Sequence, residues 1–131
     1  MSPKEIHKQK VDVYSPNALG AEIDDKTIDQ FRCSIVCGGS NNQLKSSSYG
    51  RVLQRLGILY VPDYVANAGG LIDVVSELDK KGYSKERVRE KVLQIRDTVS
   101  TIIALSKEKK KSTNEVADDL AEKIFLKGHR K

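Results

Sequence analysis

The sequence predicts an α/β fold: a parallel sheet of about three strands, followed by helices that close the chain. Three observations carry this. Short apolar runs alternate with helix-period segments. The third run, Ile58 to Val61, has no polar alternation, the habit of a strand buried on both faces. Strands that alternate with helices imply parallel pairing through right-handed crossovers.

Residues 1–10 are polar and charged and read as a loose lead-in; residues 11–131 read as one domain. Val11, Val13 and Tyr14 suggest the first strand, broken by Ser15, Pro16 and Asn17. Asp24 or Asp25 can cap a short helix near Thr27 to Phe31 by accepting from its free amides. The second strand is Ser34 to Cys37, and Gly38 and Gly39 end it. A helix from about Ser47 to Leu56 carries Val52, Leu53 and Leu56 on one face, and Gly57 stops it. After the third strand, Pro62 and Asp63 mark a break.

An apolar-rich helix is expected from Gly69 to Lys80. Ser84 then caps a long helix in which Val88, Val92, Ile95, Val99 and Ile102 form a single stripe. Ser112 and Glu115 have the spacing of a reciprocal capping box, opening a last helix with Val116, Leu120 and Ile124 on one face. Three strands are few for such a sheet. An open flank with unpaired backbone groups is expected, inviting either a missing half or self-association.

Composition narrows the function classes. No apolar run approaches the roughly 20 residues of a membrane span, and the amino terminus lacks a signal-peptide core. A cytoplasmic location without membrane contact is the expectation. The net charge of +5 gathers at Lys107 to Lys111 and at the carboxyl-terminal tail, as solvated helix ends do, so nucleic acid is not an expected partner. Cys33 and Cys37 would lie about 13 Å apart along a strand, too far for a mutual disulfide. With no neighbouring His or Cys, no metal site is expected.

The loops after the three strands share one character. They hold Pro16, Asn17, Ala18 and Gly20; Gly38 to Asn42; and Asp63, Asn67, Gly69 and Gly70. In a parallel sheet they meet on one edge, where ligands of such folds sit. Amides and bare glycine backbone suit hydrogen bonding to ribose, carboxamide or carboxylate, but glycine, asparagine and proline also serve ordinary turns. Asp63, following a proline, reads as a turn or cap acceptor rather than a base.

Three stretches, D-V-Y-S-P-N-A-L-G-A from Asp12, S-N-N-Q-L from Ser40 and Y-V-P-D-Y-V-A-N-A-G-G from Tyr60, occur in order. Together they resemble the leucine dehydrogenase branch of the glutamate, leucine, phenylalanine and valine dehydrogenases, over about Val11 to Leu126. The resemblance implies a carboxyl-terminal part only: half of a Rossmann-like parallel three-layer sheet, then helices. It implies NAD as cofactor and the reversible oxidative deamination of an L-amino acid to its 2-oxo acid by hydride transfer. By resemblance, Asn41, Asn67 and Ala18 face the cofactor. Asn42 holds the substrate carboxylate, and Leu71 and Val74 shape the pocket for a branched side chain; in the absence of that role, Leu71 and Val74 would be helix–sheet core.

Departures from the family are equally plain. Asn17 stands where the family usually has cysteine, and the second loop reads G-G-S-N-N rather than G-S-A-N-N. No G-x-G-x-x-G occurs, and no substrate-binding lysines or proton-moving aspartate are matched. No catalytic residue is therefore expected, and the chain is expected to be inactive alone. The alternative is a non-catalytic nucleotide- or partner-binding remnant of the family.

Overall fold

The computed structural model describes residues 3–128 and shows an α/β chain. β1 (Val13–Tyr14), β2 (Ile35–Val36) and β3 (Leu59–Tyr60) form a parallel sheet in the order β1-β2-β3. Val13 registers with Ile35 and Ile35 with Leu59; Tyr14 registers with Val36 and Val36 with Tyr60. The helices are α1 (Tyr49–Arg55), α2 (Asp63–Ala66), α3 (Gly69–Glu77), α4 (Lys85–Lys109) and α5 (Thr113–Gly128). α1 and α5 pack on β3, and α4 packs on α2, α3 and α5. No helix among the described residues is long and apolar enough to cross a membrane.

The core has two centres. Ile23, Ile28, Val36, Leu53, Ile58 and Tyr60 close around the sheet, and Ile102, Val116 and Ala117 close the α4–α5 seam. The stripe expected along α4 behaves as a one-sided face. Val88 and Ile102 are buried, Ile95 and Val99 half-buried, and Val92 is exposed near the open middle. Both cysteines are half-buried and unbridged, and burial raises their thiols above the usual value.

Local signals place the helix starts. Asp24 Oδ1 accepts from the amides of Lys26 and Thr27 at 2.9 and 3.1 Å, ahead of the 3-10 turn Ile28–Gln30. Ser84 Oγ accepts from the Arg87 amide at 3.3 Å and caps α4. The capping box at α5 is only half formed. Glu115 Oε2 accepts from the Ser112 amide, but the Ser112 hydroxyl donates to the same carboxylate at 2.7 Å instead of accepting from the helix. An ionised carboxylate is the stronger acceptor for that hydroxyl.

Three expectations fail. The lead-in is not loose: Pro3–Lys8 forms a 3-10 helix, and His7 sets its ring edge on Phe31, with centroids 6.0 Å apart. Pro62 and Asp63 do not merely end a strand; they begin the extra helix α2. α3 stops at Glu77 rather than Lys80, because Asp79 accepts the Lys81 amide in a turn and Gly82 takes a positive φ of 77°.

Arg51 joins α1 to α5. Its Nε donates to Glu115 Oε1 at 2.8 Å, and Nη2 donates to the same oxygen. This bond first, then that from Ser112, pulls the Glu115 carboxyl down to about 2. The folded value lies below the unfolded one, so the stabilisation is complete above about pH 5 and is lost as pH falls toward 2. Arg51 is two-thirds exposed, so solvent screens the pair and its contribution is small. Urea titrations of Glu115→Gln should therefore show a stability deficit at pH 7 that shrinks below about pH 5 and closes as pH falls through about 2. A deficit unchanged by pH would assign the effect to something other than this ionised pair.

Candidate functional site

The three loops do meet at one edge, and they are bonded to one another. The Ser40 amide and hydroxyl both donate to the Pro16 carbonyl at 3.1 Å, tying the second loop to the first. Asn17 Oδ1 accepts from the Gly39 amide at 2.7 Å, while its Nδ2 donates to the Ser15 carbonyl. The residue that stands in place of the family's usual cysteine is thus a brace between loops. Asn67 Nδ2 donates to the Gly39 carbonyl at 3.2 Å and to Asn41 Oδ1 at 2.6 Å, tying the third loop to the second.

Two neighbouring clefts open at this edge. One, of about 440 Å³, is lined by Gly39, Asn41, Tyr64, Asn67, Ala68 and Leu71. The other, of about 400 Å³, includes Asn41, Asn42, Ser47, Asp63, Tyr64 and Asp118 in its wall. Asn41 and Tyr64 belong to both walls. Tyr64 is fixed there by its hydroxyl, whose one proton goes to Asp118 Oδ1 at 2.6 Å, with the Asn114 carbonyl as an alternative acceptor at 3.2 Å. Burial first, then the Asp118 bond, holds that phenol well above its ordinary value, so it remains a donor.

The Asn41–Asn67 pair has a definite polarity. Their mutual bond occupies Asn67 Nδ2 and Asn41 Oδ1. Asn41 Nδ2 is left to donate and Asn67 Oδ1 to accept, and neither takes a partner among the described residues. A donor and an acceptor side by side are what a primary carboxamide requires.

The expected site residues divide. Asn41, Asn67 and Leu71 share the 440 Å³ cleft. Asn42 lies on the other cleft, so of the three residues expected to hold one substrate, Asn42 and Leu71 line different clefts. Ala18 is exposed and belongs to neither wall, although its loop turns back so that the Ala21 amide donates to the Asn42 carbonyl at 2.7 Å. Val74 also belongs to neither wall. Reading Leu71 and Val74 as helix–sheet core is incorrect: they are 68% and 58% exposed, and α3 packs on α4 instead, with Ser76 its buried residue.

Asp63 was legible only as an acceptor, which it is, but for partners that the sequence does not reveal. Its Oδ2 accepts from the Asn42 amide at 2.7 Å, and its Oδ1 accepts from the Tyr60 hydroxyl at 2.8 Å. No Lys or His lines either cleft.

A short parallel sheet whose carboxyl-end loops hold paired amides over bare glycine backbone defines an α/β protein with a binding edge. Comparison with known proteins makes this specific. The chain belongs to the Glutamate/Leucine/Phenylalanine/Valine dehydrogenase family, which it matches over residues 1–125, so the likeness begins ahead of Val11 and takes in the lead-in. It is 43% identical over 122 residues to leucine dehydrogenase of Bacillus cereus, covering 93% of this chain and 33% of that protein. It is 45% identical over 113 residues to phenylalanine dehydrogenase of Thermoactinomyces intermedius, covering 86% of this chain and 30% of that protein. The crystal structure of L-tryptophan dehydrogenase from Nostoc punctiforme superposes with a TM-score of 0.91 at 40% identity, over 98% of this chain and 38% of that one.

The chain thus spans about a third of the length of the curated relatives it matches. This likeness establishes the family. It does not bear out the expected placement as the carboxyl-terminal part of such a protein.

Proposed function

We propose that this chain is a partial, Rossmann-like cofactor-binding domain of an NAD-dependent amino-acid dehydrogenase that deaminates a branched-chain L-amino acid. The observation that carries this is the bonded Asn41–Asn67 pair with its free donor and free acceptor in a 440 Å³ cleft. That pairing fits the carboxamide of a nicotinamide ring, and the glycine backbone at Gly39 lets the ring approach closely. The fit covers that end of the cofactor only, because the sequence holds no G-x-G-x-x-G to receive a pyrophosphate.

When bound, NAD would supply the hydride acceptor. The chain's own residues hold and orient. Asn41 and Asn67 fix the carboxamide end, with the Ala18 loop beside it. Asn42 offers its side-chain amide to a substrate carboxylate from the neighbouring cleft, so a substrate that also reaches the aliphatic surface of Leu71, with Val74 further along α3, extends past Asn41 from one cleft to the other. The side-chain discrimination available from one methylene is modest, about 1–3 kcal/mol. Neither cleft holds a lysine or histidine to take up the amine proton, and of the carboxylate oxygens there both of Asp63's and Oδ1 of Asp118 are already engaged. A partner surface must supply that group, and the exposed β1 edge with Val11 and Val13 suits one.

The test is a titration of the chain with NAD+. Saturable binding is expected, weakened about tenfold or more by Asn41→Ala or Asn67→Ala, the scale of one or two lost hydrogen bonds. No reduction of NAD+ by L-leucine is expected from the chain alone. Binding that is absent, or indifferent to both substitutions, would overturn the cofactor reading; sustained turnover would overturn the claim of inactivity.

A further inference from the structure

An aspartate that opens a helix ordinarily caps it, accepting from the free amides of the first turn. Asp63 opens α2 but does not serve that helix. Its two oxygens accept from the Asn42 amide and the Tyr60 hydroxyl, and the residue is only 8% exposed. Something other than helix capping accounts for a carboxylate placed there.

The backbone it holds is unusual. Asn42 has φ 54°, in the left-handed region that residues with a side chain enter rarely, asparagine more readily than most. A change of that one residue to ordinary backbone would swing both Asn41 and Asn42, because they are adjacent. The bond from the Asn42 amide to Asp63 resists that change. Asp63 is in turn oriented by Tyr60, which is 2% exposed, paired to Val36 in the sheet, and bonded at its carbonyl by Thr113 Oγ1 at 2.5 Å. The chain of contacts therefore runs from the start of α5, through β3, to the binding loop.

We infer that Asp63, oriented by Tyr60, is a positioning residue: it anchors the left-handed backbone of Asn42 and so sets the amides of Asn41 and Asn42 on their two clefts. This rests on the proposed role of those amides in holding NAD and substrate. It adds that, beside the bonds Gln43 makes within the loop to the Gly38 and Ser40 carbonyls, a buried carboxylate from the third loop sets the backbone at Asn42.

The experiment uses the full chain with two readouts. One is hydrogen exchange of the Asn42 backbone amide, with Leu53 and Val116 as distant reference amides. The other is the dissociation constant for NAD+. Asp63→Ala should abolish protection at Asn42, leave Leu53 and Val116 protected, and raise the dissociation constant about tenfold, the scale of one lost bond to a charged group. Asp63→Asn keeps an acceptor oxygen, so it should restore most of the Asn42 protection and bring affinity back to within about threefold of wild type.

Unchanged protection and unchanged affinity in a folded Asp63→Ala chain would overturn the inference. If that variant does not fold, Tyr60→Phe decides it: lowered protection at Asn42 with Leu53 and Val116 unchanged supports the inference, and protection at Asn42 equal to wild type would overturn it. If the wild-type chain fails to bind NAD+, the cofactor reading falls, while Asn42 exchange still decides whether Asp63 positions the loop.

Discussion

Gly38→Ala is expected to cost about 3 kcal/mol of stability, roughly a 150-fold shift toward the unfolded chain, and to abolish NAD+ binding. A Cβ at residue 38 would stand 2.1 Å from the Pro16 carbonyl oxygen, 2.6 Å from its nitrogen and 2.7 Å from its Cδ. All three atoms belong to backbone or to a fixed ring, so none can step aside as a flexible side chain could. Pro16 is fully buried, and its carbonyl already accepts from Ser40. The first two loops would have to separate, breaking the Ser40 bonds and the Asn17–Gly39 brace together. Overpacking of this kind reaches the upper end of its usual range when nothing can relax. Urea denaturation monitored by circular dichroism, with an unchanged slope, gives the number. A midpoint within experimental error of wild type would mean that the first and second loops do not touch as described.

Gly50→Ala is expected to destabilise by about 2 kcal/mol, through the joint between α1 and α5. Here the added Cβ would lie 1.8 Å from Asn114 Oδ1 and 2.6 Å from its Cγ. Asn114 is buried; its Nδ2 donates to the Ser47 carbonyl at 3.1 Å, and its Oδ1 has no partner among the described residues. The side chain cannot swing away without surrendering the Ser47 bond. This gives the prediction a second arm. Asn114→Ala removes the obstacle, so the double variant should be more stable than the sum of the two single changes predicts, by about 1 kcal/mol or more. Gly70→Ala in α3 is the contrast. Nothing lies within 4 Å of its added carbon, so alanine's better helix propensity should make that change neutral or stabilising by up to about 1 kcal/mol. Strict additivity of the Gly50 and Asn114 changes would exclude a direct contact between them.

These two glycines show where sequence reading stops. Gly38 was legible as the end of a strand and Gly50 as an ordinary member of an amphipathic helix. Neither reading contains the atom that makes the glycine necessary, because that atom lies 22 residues away in one case and 64 in the other. Asp63 is similar. An acidic residue after proline suggests an acceptor, and the pattern Pro62-Asp63 could have suggested the start of α2. That its partners are Asn42 and Tyr60 depends on β2 and β3 lying side by side. Asn17 looked like a mild departure from a family pattern, and only the approach of Gly39 shows it to be a brace.

Local chemistry by itself determined much of the framework. The apolar runs give the three strands and their parallel order, because a strand without polar alternation must be covered on both faces. Asp24 and Ser84 announce their turns because short polar side chains satisfy free helix amides within a few residues. The strand ends announce the binding edge because parallel strands deliver their following loops to one side.

Only the tertiary structure decided how that edge is built. The pairing of Asn41 with Asn67, the separation of Asn42 from Leu71, and the exposure of Leu71 and Val74 all follow from how elements distant in sequence pack. Apolar content shows that a helix can bury a face, but the direction of that face depends on which neighbour reaches it. For α3 the neighbour is α4, and the packing leaves Leu71, Val74 and Val75 at the surface. Hydrophobic burial carries no direction of its own, and hydrogen bonds do. The sequence thus determined which residues must be covered, whereas the geometry of the loops determined which amides face the clefts.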